Sequence, residues 1–348
     1  MKRRNLLLGI MLSASTTVID AQGLPPWNDP SVNNINRKEL TSDFFSFESL
    51  SLAEKNSKRA SNRFLSIEGN WKFHWVKNAN ERPTEFYRTD LDDSDWGTMP
   101  IPGCWELNGY GDRIYVNINY EWENEWENNP PYVKDLNNHV GSYRREFTVP
   151  VEWKGNKVFI HIGEFSSSLN LYVNGEFVGY AEDNKVAAEF DITNHVRFGE
   201  KNLIAMQLTR WCDGSYVEDQ DYWRFRGIAR ENYLYTVPLS HIEDIYIKPD
   251  LTNNYKEGSL YVDVSTENCI GKQFVIELYE KTTGKKVISE KRALELDNNV
   301  FKFNIKKPLK WTAETPNLYI LRTTLIDNGK ILEVIHQNVG FLSSASGV

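Results

Sequence analysis

Ser168-Leu-Asn-Leu-Tyr-Val-Asn-Gly-Glu-Phe-Val-Gly-Tyr180 is a hairpin in outline. Two short runs rich in apolar and aromatic residues flank Asn174-Gly175, the strongest local signal for a two-residue turn, because both residues tolerate the positive φ that such a turn requires. Outward from it, Lys157-Val-Phe-Ile-His-Ile162 and Asn202-Leu-Ile-Ala-Met-Gln-Leu208 have the same short, β-favouring character. Further upstream, Phe64-Leu-Ser-Ile-Glu-Gly-Asn-Trp-Lys-Phe-His-Trp75 alternates apolar and polar positions like a half-buried strand interrupted by a Gly-Asn turn. Many short strands with no long helical period predict an all-β antiparallel sandwich or jelly roll over residues 63–238.

After Pro238 the aromatic density falls and the alternation becomes cleaner. Ile242-Glu-Asp-Ile-Tyr-Ile247, Gly258-Ser-Leu-Tyr-Val-Asp-Val264, Phe274-Val-Ile-Glu-Leu-Tyr279 and Leu318-Tyr-Ile-Leu-Arg-Thr-Thr-Leu325 all read as strands, and Asp327-Asn-Gly329 as a turn before a closing one. These predict an immunoglobulin-like β-sandwich over 239–341. A chain of 348 residues suits two such units, each large enough to bury its own core. There is no internal repeat and no low-complexity tract.

Upstream of the first sandwich, residues 22–62 are polar and lack sustained periodicity, and are expected to form an arm packed across it. Residues 1–21 have the layout of a secretory signal peptide: Met1-Lys-Arg-Arg4, then the mostly apolar Leu6-Leu-Leu-Gly-Ile-Met-Leu12, then small residues up to Ala21. Export to the periplasm or the cell exterior is expected. The apolar run is shorter than the roughly 20 residues a membrane-spanning helix needs, so no membrane span is predicted.

The net charge of -8 argues against a nucleic-acid partner, since phosphate backbones repel an acidic chain. At 13% aromatic, with 11 Trp, the composition fits a carbohydrate enzyme or binding module, although buried core rings give the same count. The 3 Cys (Cys104, Cys212 and Cys269) are odd in number and far apart, so they read as free thiols rather than a disulfide framework or zinc site. The 6 His are scattered singly and support neither a metal cluster nor a catalytic triad.

The densest chemistry lies in Trp211-Cys-Asp-Gly-Ser-Tyr-Val-Glu-Asp-Gln-Asp-Tyr-Trp-Arg-Phe-Arg-Gly-Ile-Ala-Arg230. Sugars present hydroxyls in the ring plane and apolar faces above and below it. A site for them therefore needs carboxylates to accept hydrogen bonds and aromatic faces to stack, and this segment has both. The plainer reading is a salt-bridged turn in which Arg224, Arg226 and Arg230 neutralise Asp213, Glu218, Asp219 and Asp221. On residue type alone, Trp211 and Trp223 read as core and Asp213 as a turn former.

This segment resembles the W-x-D-G-S-Y-x-E-D-Q-D-x-W-R-x-x-G-I-x-R signature of the large β-galactosidases of glycoside hydrolase family 2. Pro100-Ile-Pro-Gly-Cys-Trp-Glu-Leu-Asn-Gly-Tyr-Gly-Asp-Arg-Ile-Tyr-Val-Asn-Ile-Asn-Tyr120, Asn128-Asn-Pro-Pro-Tyr-Val133, Gly141-Ser-Tyr-Arg-Arg-Glu-Phe147 and Leu309-Lys-Trp-Thr-Ala-Glu-Thr-Pro-Asn-Leu-Tyr319 resemble segments of the same family. The resemblance runs from about Trp27 to Phe341. It implies a jelly-roll sugar-binding domain followed by an immunoglobulin-like one, and a galactoside substrate recognised through Asn117 and Asp221. It also implies sodium ligation by Asp221, and possible homo-oligomerisation of a full-length enzyme.

Glycoside hydrolysis takes two carboxylates flanking the sugar, roughly 5 to 5.5 Å apart in retaining enzymes. Glu218, Asp219 and Asp221 are neighbours on one strand and cannot flank a sugar from opposite sides, so no catalytic pair is assigned. In the family that pair belongs to an (α/β)8 barrel following the second sandwich. Here Leu342-Ser-Ser-Ala-Ser-Gly-Val348 departs from the family where the barrel would begin. The expectation is a recognition portion that is inactive alone, binds sodium weakly because the other ligands come from the barrel, and needs magnesium only together with that barrel. Two rivals are a stand-alone carbohydrate-binding module and an interaction role for the face that normally docks the barrel.

Overall fold

The structure, a computed structural model, describes residues 24–342 apart from 124, 184, 219 and 220. The leader expected over 1–21 and the stretch from 343 onward lie outside the described residues. The chain is all-β, with 49% strand against 7% helix. Among the described residues, no helix is long and apolar enough to cross a membrane.

Ser168–Val173 and Glu176–Ala181 pair antiparallel around Asn174 and Gly175, whose φ angles of 53° and 87° are those of a mirror-image turn. The Asn174 side chain then ties the turn to its surroundings, accepting from Leu203 N at 2.9 Å and donating to His195 O at 2.7 Å. The hairpin belongs to a seven-stranded antiparallel sheet. Its order is Asn34–Ile35, Glu176–Ala181, Ser168–Val173, Lys201–Thr209, Val140–Thr148, Gly69–Val76, Gly97–Ile101.

Against it packs a second sheet of Ala188–Asp191, Lys157–Ser166, Gly227–Val237 and Phe64–Ser66, with Gly103–Cys104 added on Gly227–Val237. Trp71, Phe73, Leu169, Leu171, Ile204 and Met206 from one sheet meet Val158, Ile160, Ile162, Phe165, Ile228 and Leu234 from the other in a single buried core. The run from Phe64 to Trp75, expected as one interrupted strand, is split between the two sheets. The chain changes layer at Ile67 and Glu68 and re-enters at Gly69, whose φ of 120° an L side chain rarely adopts.

The second sandwich faces His241–Thr252, Glu257–Glu267 and Asn298–Lys306 against Lys286–Ala293, Gln273–Glu280, Tyr319–Asp327 and Lys330–Val339. Alternation is strict in Glu257–Glu267, which buries Leu260, Val262 and Val264 and turns the residues between them outward.

The arm reaches further than the sequence suggests, because it crosses both sandwiches. Lys38 N donates to Glu189 O at 2.8 Å on the first, while Phe47 and Val334 exchange backbone bonds of 2.9 and 2.8 Å on the second. A short helix, Leu50–Lys55, capped by the Ser49 side chain, packs Ala53 against Phe47 and Val334. At six residues it is under two turns, too short to register as a 3.6-residue period in the sequence. Beneath the arm, the fully buried Glu333 accepts from Ser46 Oγ and Ile242 N, both at 2.7 Å, and so joins arm and second sandwich.

Candidate functional site

At one end of the first sandwich the loops following Gly103–Cys104 and Lys201–Thr209 meet. They form a two-stranded ribbon, with Tyr222 opposite Val116 and Trp223 opposite Tyr115. The two residues singled out in the sequence, 104 positions apart (221 − 117), thus each flank a paired strand of one exposed ribbon. The Tyr115 hydroxyl donates to Asp221 Oδ1. Tyr115 is raised from its ordinary value mainly by that hydrogen bond.

A buried ionic platform holds the ribbon. Glu121, with 5% of its side chain exposed, lies 3.0 Å from Arg210, 3.6 Å from Arg224, and in direct contact with Arg226; Trp211 Nε1 adds a hydrogen bond at 3.2 Å. Burial pushes the Glu121 carboxyl up, but Arg226 and Arg210 outweigh it and hold the group below its usual value, so it stays ionised. Arg226 also donates through Nε to Arg210 O at 2.8 Å, and its backbone N–H is accepted by Glu106 at 2.9 Å. Arg224 N donates to Ile114 O at 2.8 Å, which stitches the two ribbon strands together.

Behind the platform, Tyr120, Trp122 and Trp126 stack nearly parallel at 5.0 and 4.9 Å, with Trp211 edge-on to Trp122 at 5.3 Å. A cleft of about 510 Å³ opens between ribbon and platform, lined among others by Tyr120, Lys185, Glu218, Tyr222, Trp223 and Arg226.

The sequence reading is corrected here in two places. The arginines do not simply neutralise the acids of their own segment: Arg226 is bound to Glu121 of another loop and Arg230 to Glu164 of the strand Lys157–Ser166 at 2.8 Å. Trp223, read as core, is 47% exposed and stacks on Phe225, whereas Trp211 is fully buried as read. Glu121 itself gave no sequence signal, because its partners Arg210 and Arg226 lie 89 and 105 residues away along the chain. Asp213 does open the short helical turn Asp213–Tyr216. Asp219 lies outside the described residues.

The available donors decide where a metal could be held. Asp221 belongs to neither group of three or more His, Cys, Asp or Glu ligands found among the described residues, and its carboxylate accepts from the Tyr115 hydroxyl. Those two groups bring three ligand atoms within 4.8 Å: Glu182, Cys212 and Asp213, and His241, Glu243 and Glu267. In the second, ammonium groups already serve the acids, Lys38 on Glu243 and Lys157 on Glu267. In the first, Glu182 is 3% exposed and accepts from the Tyr180 hydroxyl, while Asp213 Oδ2 is buried without a hydrogen-bond partner. Burial, reinforced by Asp213, pushes Glu182 up to about 8. The pair can hold a proton or a hard cation between its oxygens. All three cysteines are free thiols, as read.

Two packed β-sandwiches, the first presenting an aromatic- and arginine-bedded ribbon at its loop end, are the architecture of the multidomain glycoside hydrolases. The chain belongs to glycosyl hydrolases family 2: residues 64–238 match its sugar binding domain and residues 240–341 the domain that follows. It is 36% identical over 337 residues to a β-galactosidase of Priestia megaterium, covering 92% of this chain and 32% of that one. To the β-galactosidase of Halalkalibacterium halodurans it is 35% identical over 316 residues, covering 90% and 31%. The chain thus spans about a third of the length of the curated relatives it matches, corresponding to their N-terminal part.

Among solved structures, a β-glucuronidase of Bacteroides uniformis superposes with a TM-score of 0.63 at 22% identity, covering 79% of this chain and 32% of that one. A family 2 member from Bacteroides cellulosilyticus gives 0.60 at 20% identity, covering 80% and 36%. At these identities the likeness is one of fold.

Proposed function

We propose that this chain is the recognition portion of an exported β-galactosidase, holding the hydroxyls of a terminal β-galactose through Asn117 and Asp221 and contributing neither the acid nor the nucleophile. The observation that supports the reading is the ribbon, whose pairing of Tyr115–Val116 with Tyr222–Trp223 brings the segments carrying Asn117 and Asp221 to one exposed edge, with the Tyr115 hydroxyl bonded to the Asp221 carboxylate. A carboxylate accepts from two vicinal hydroxyls and an amide can donate and accept, so the pair suits a diol.

The carboxylates around the cleft support inactivity of the chain alone. Glu121 is committed to guanidinium groups, and Glu182 and Asp213 lie against each other rather than across a substrate-sized gap. Ile118 and Val217, 84% and 85% exposed beside the ribbon, support a further protein surface covering this end. Asp221 would supply one ligand to sodium, the remaining donors coming from that surface, where magnesium also belongs.

The test is hydrolysis of a chromogenic β-galactoside by the purified chain. No turnover is expected; turnover abolished by a substitution within the chain would overturn the reading. A second reading, a binding module that works without hydrolysis, is favoured by the open cleft beside the exposed Trp223. Calorimetry on the chain and on Asp221→Asn separates the two, since a module loses measurable galactose or lactose affinity in the variant and half a pocket has none at the ribbon to lose.

A further inference from the structure

A second cavity, of about 420 Å³, lies beneath the arm on the outer face of the sheet formed by Ala188–Asp191, Lys157–Ser166 and Gly227–Val237, and shares no lining residue with the cleft beside the ribbon. Its roof is the segment from Lys38 to Ser46. That segment is pinned at one end by Lys38 N on Glu189 O at 2.8 Å, in the middle by Ser42 N on Asp244 Oδ1 at 2.8 Å, and beyond its far end by the Phe47 and Val334 backbone bonds. A strap anchored at three points over a sheet encloses space without collapsing onto it, and the volume falls in the range of small-molecule sites.

The lining sets the chemistry. Phe45, Phe159, Tyr233 and Tyr235 supply aromatic surface. Every cation that lines the cavity is already matched: Lys38 to Glu243 at 3.1 Å, Lys58 to Glu231 at 2.6 Å, and Arg230 to Glu164 at 2.8 Å. Glu189 accepts from His161 Nδ1 and the Tyr235 hydroxyl, both at 2.7 Å, which fixes the imidazole with its other nitrogen still able to bond. The Tyr233 hydroxyl has no hydrogen-bond partner among the described residues, and the exposed carboxylates of Glu39 and Asp43 stand at the rim as further acceptors. With its positive charges compensated and both donors and acceptors left over beside rings, the cavity disfavours an anion and suits a neutral ligand rich in hydroxyls.

We propose that this cavity is a saccharide-binding site taking a neutral mono- or disaccharide, independent of the ribbon reading. It would hold sugar whether or not Asn117 and Asp221 do.

The experiment is a titration of the chain with galactose, lactose, maltose and cellobiose, followed by calorimetry and by the His161 imidazole NMR signals, in parallel with glucuronate. Three variants are compared: Tyr233→Phe removes only the unpartnered hydroxyl, Ser42→Trp fills the cavity from its roof, and Asp221→Asn alters the ribbon alone. At least one neutral sugar is expected to shift the His161 signals. That binding should weaken by about five- to tenfold in Tyr233→Phe, from the loss of one hydrogen bond, vanish in Ser42→Trp, and be unchanged in Asp221→Asn. Should Ser42→Trp fail to fold by its melting curve, Tyr233→Phe decides. The proposal is overturned if no neutral sugar shifts His161, if the shift survives undiminished in both cavity variants, or if glucuronate binds as well as the neutral sugars.

Discussion

The two sandwiches solve the same packing problem with different materials. In the second, alternation supplies the core, with Leu260, Val262, Val264, Phe274, Ile276 and Leu278 filling it, and Glu333 is the buried carboxylate, held beneath the arm. In the first, the core is equally apolar, but its loop end buries Glu106, Glu121, Arg210, Arg224 and Arg226 and keeps Trp223 and Tyr222 exposed. Burying charges costs several kcal/mol per ion unless they are paired. A region that gathers five such groups where its neighbour buries the single carboxylate of Glu333 is one in which loop position, rather than stability alone, governs the choice of residues.

The largest test of this contrast is removal of Glu121. Glu121→Ala leaves three buried guanidinium groups around an empty centre and is expected to cost about 3–5 kcal/mol in denaturant unfolding. In the second sandwich, Glu290→Ala breaks only the exposed pair with Arg292 (37% and 42% side-chain exposure) and should cost less than about 1 kcal/mol. Equal costs would erase the distinction.

Next in size, Leu278→Ala, at a fully buried position, is expected to destabilise by about 2–5 kcal/mol through the lost transfer energy and the cavity left behind. A cost under about 1 kcal/mol would mean that the second sandwich does not depend on its alternating core.

A further test concerns pH. Glu182, raised from 4.5 to about 8 in the folded chain, is protonated there while its unfolded counterpart is ionised between those values. Its neutral form therefore favours folding fully below about pH 4.5, and that contribution is lost as pH rises through about 8. Melting temperature should fall between about pH 5 and 9, and Glu182→Gln, which cannot ionise, should flatten the fall; an unchanged slope in the variant would assign the dependence elsewhere.

The smallest stability effect belongs to the ribbon. Asp221→Asn, at an exposed position, should change unfolding free energy by no more than about 0.5 kcal/mol. If it costs as much as Glu121→Ala, Asp221 is part of the platform rather than of a binding edge.

Much of this was legible. The Asn174-Gly175 turn and the alternation after Pro238 forecast both sandwiches, because local periodicity and turn chemistry act over two to ten residues, and a sequence displays that range directly. Asn117 and Asp221 were singled out by the family resemblance alone, and their role stands as a proposal. Less was legible of what holds them. The arm's reach to Val334, the split of Phe64–Trp75 between two sheets and the pairing of Glu121 with Arg210 and Arg226 depend on contacts between distant segments. Trp223 was misread because tryptophan burial depends on which side of a ribbon the ring faces, and residue type does not specify that.

By itself, then, the sequence determined the all-β class, the two units and the segments carrying polar chemistry, since these follow from side-chain period and turn propensity. Only the tertiary structure decided that the strands of Asn117 and Asp221 pair in one ribbon, that Glu121 meets Arg210, Arg224 and Arg226 from the other loop, and that the arm covers a cavity. Each is a juxtaposition of residues far apart in the chain, fixed by strand register and layer packing, which no local pattern encodes.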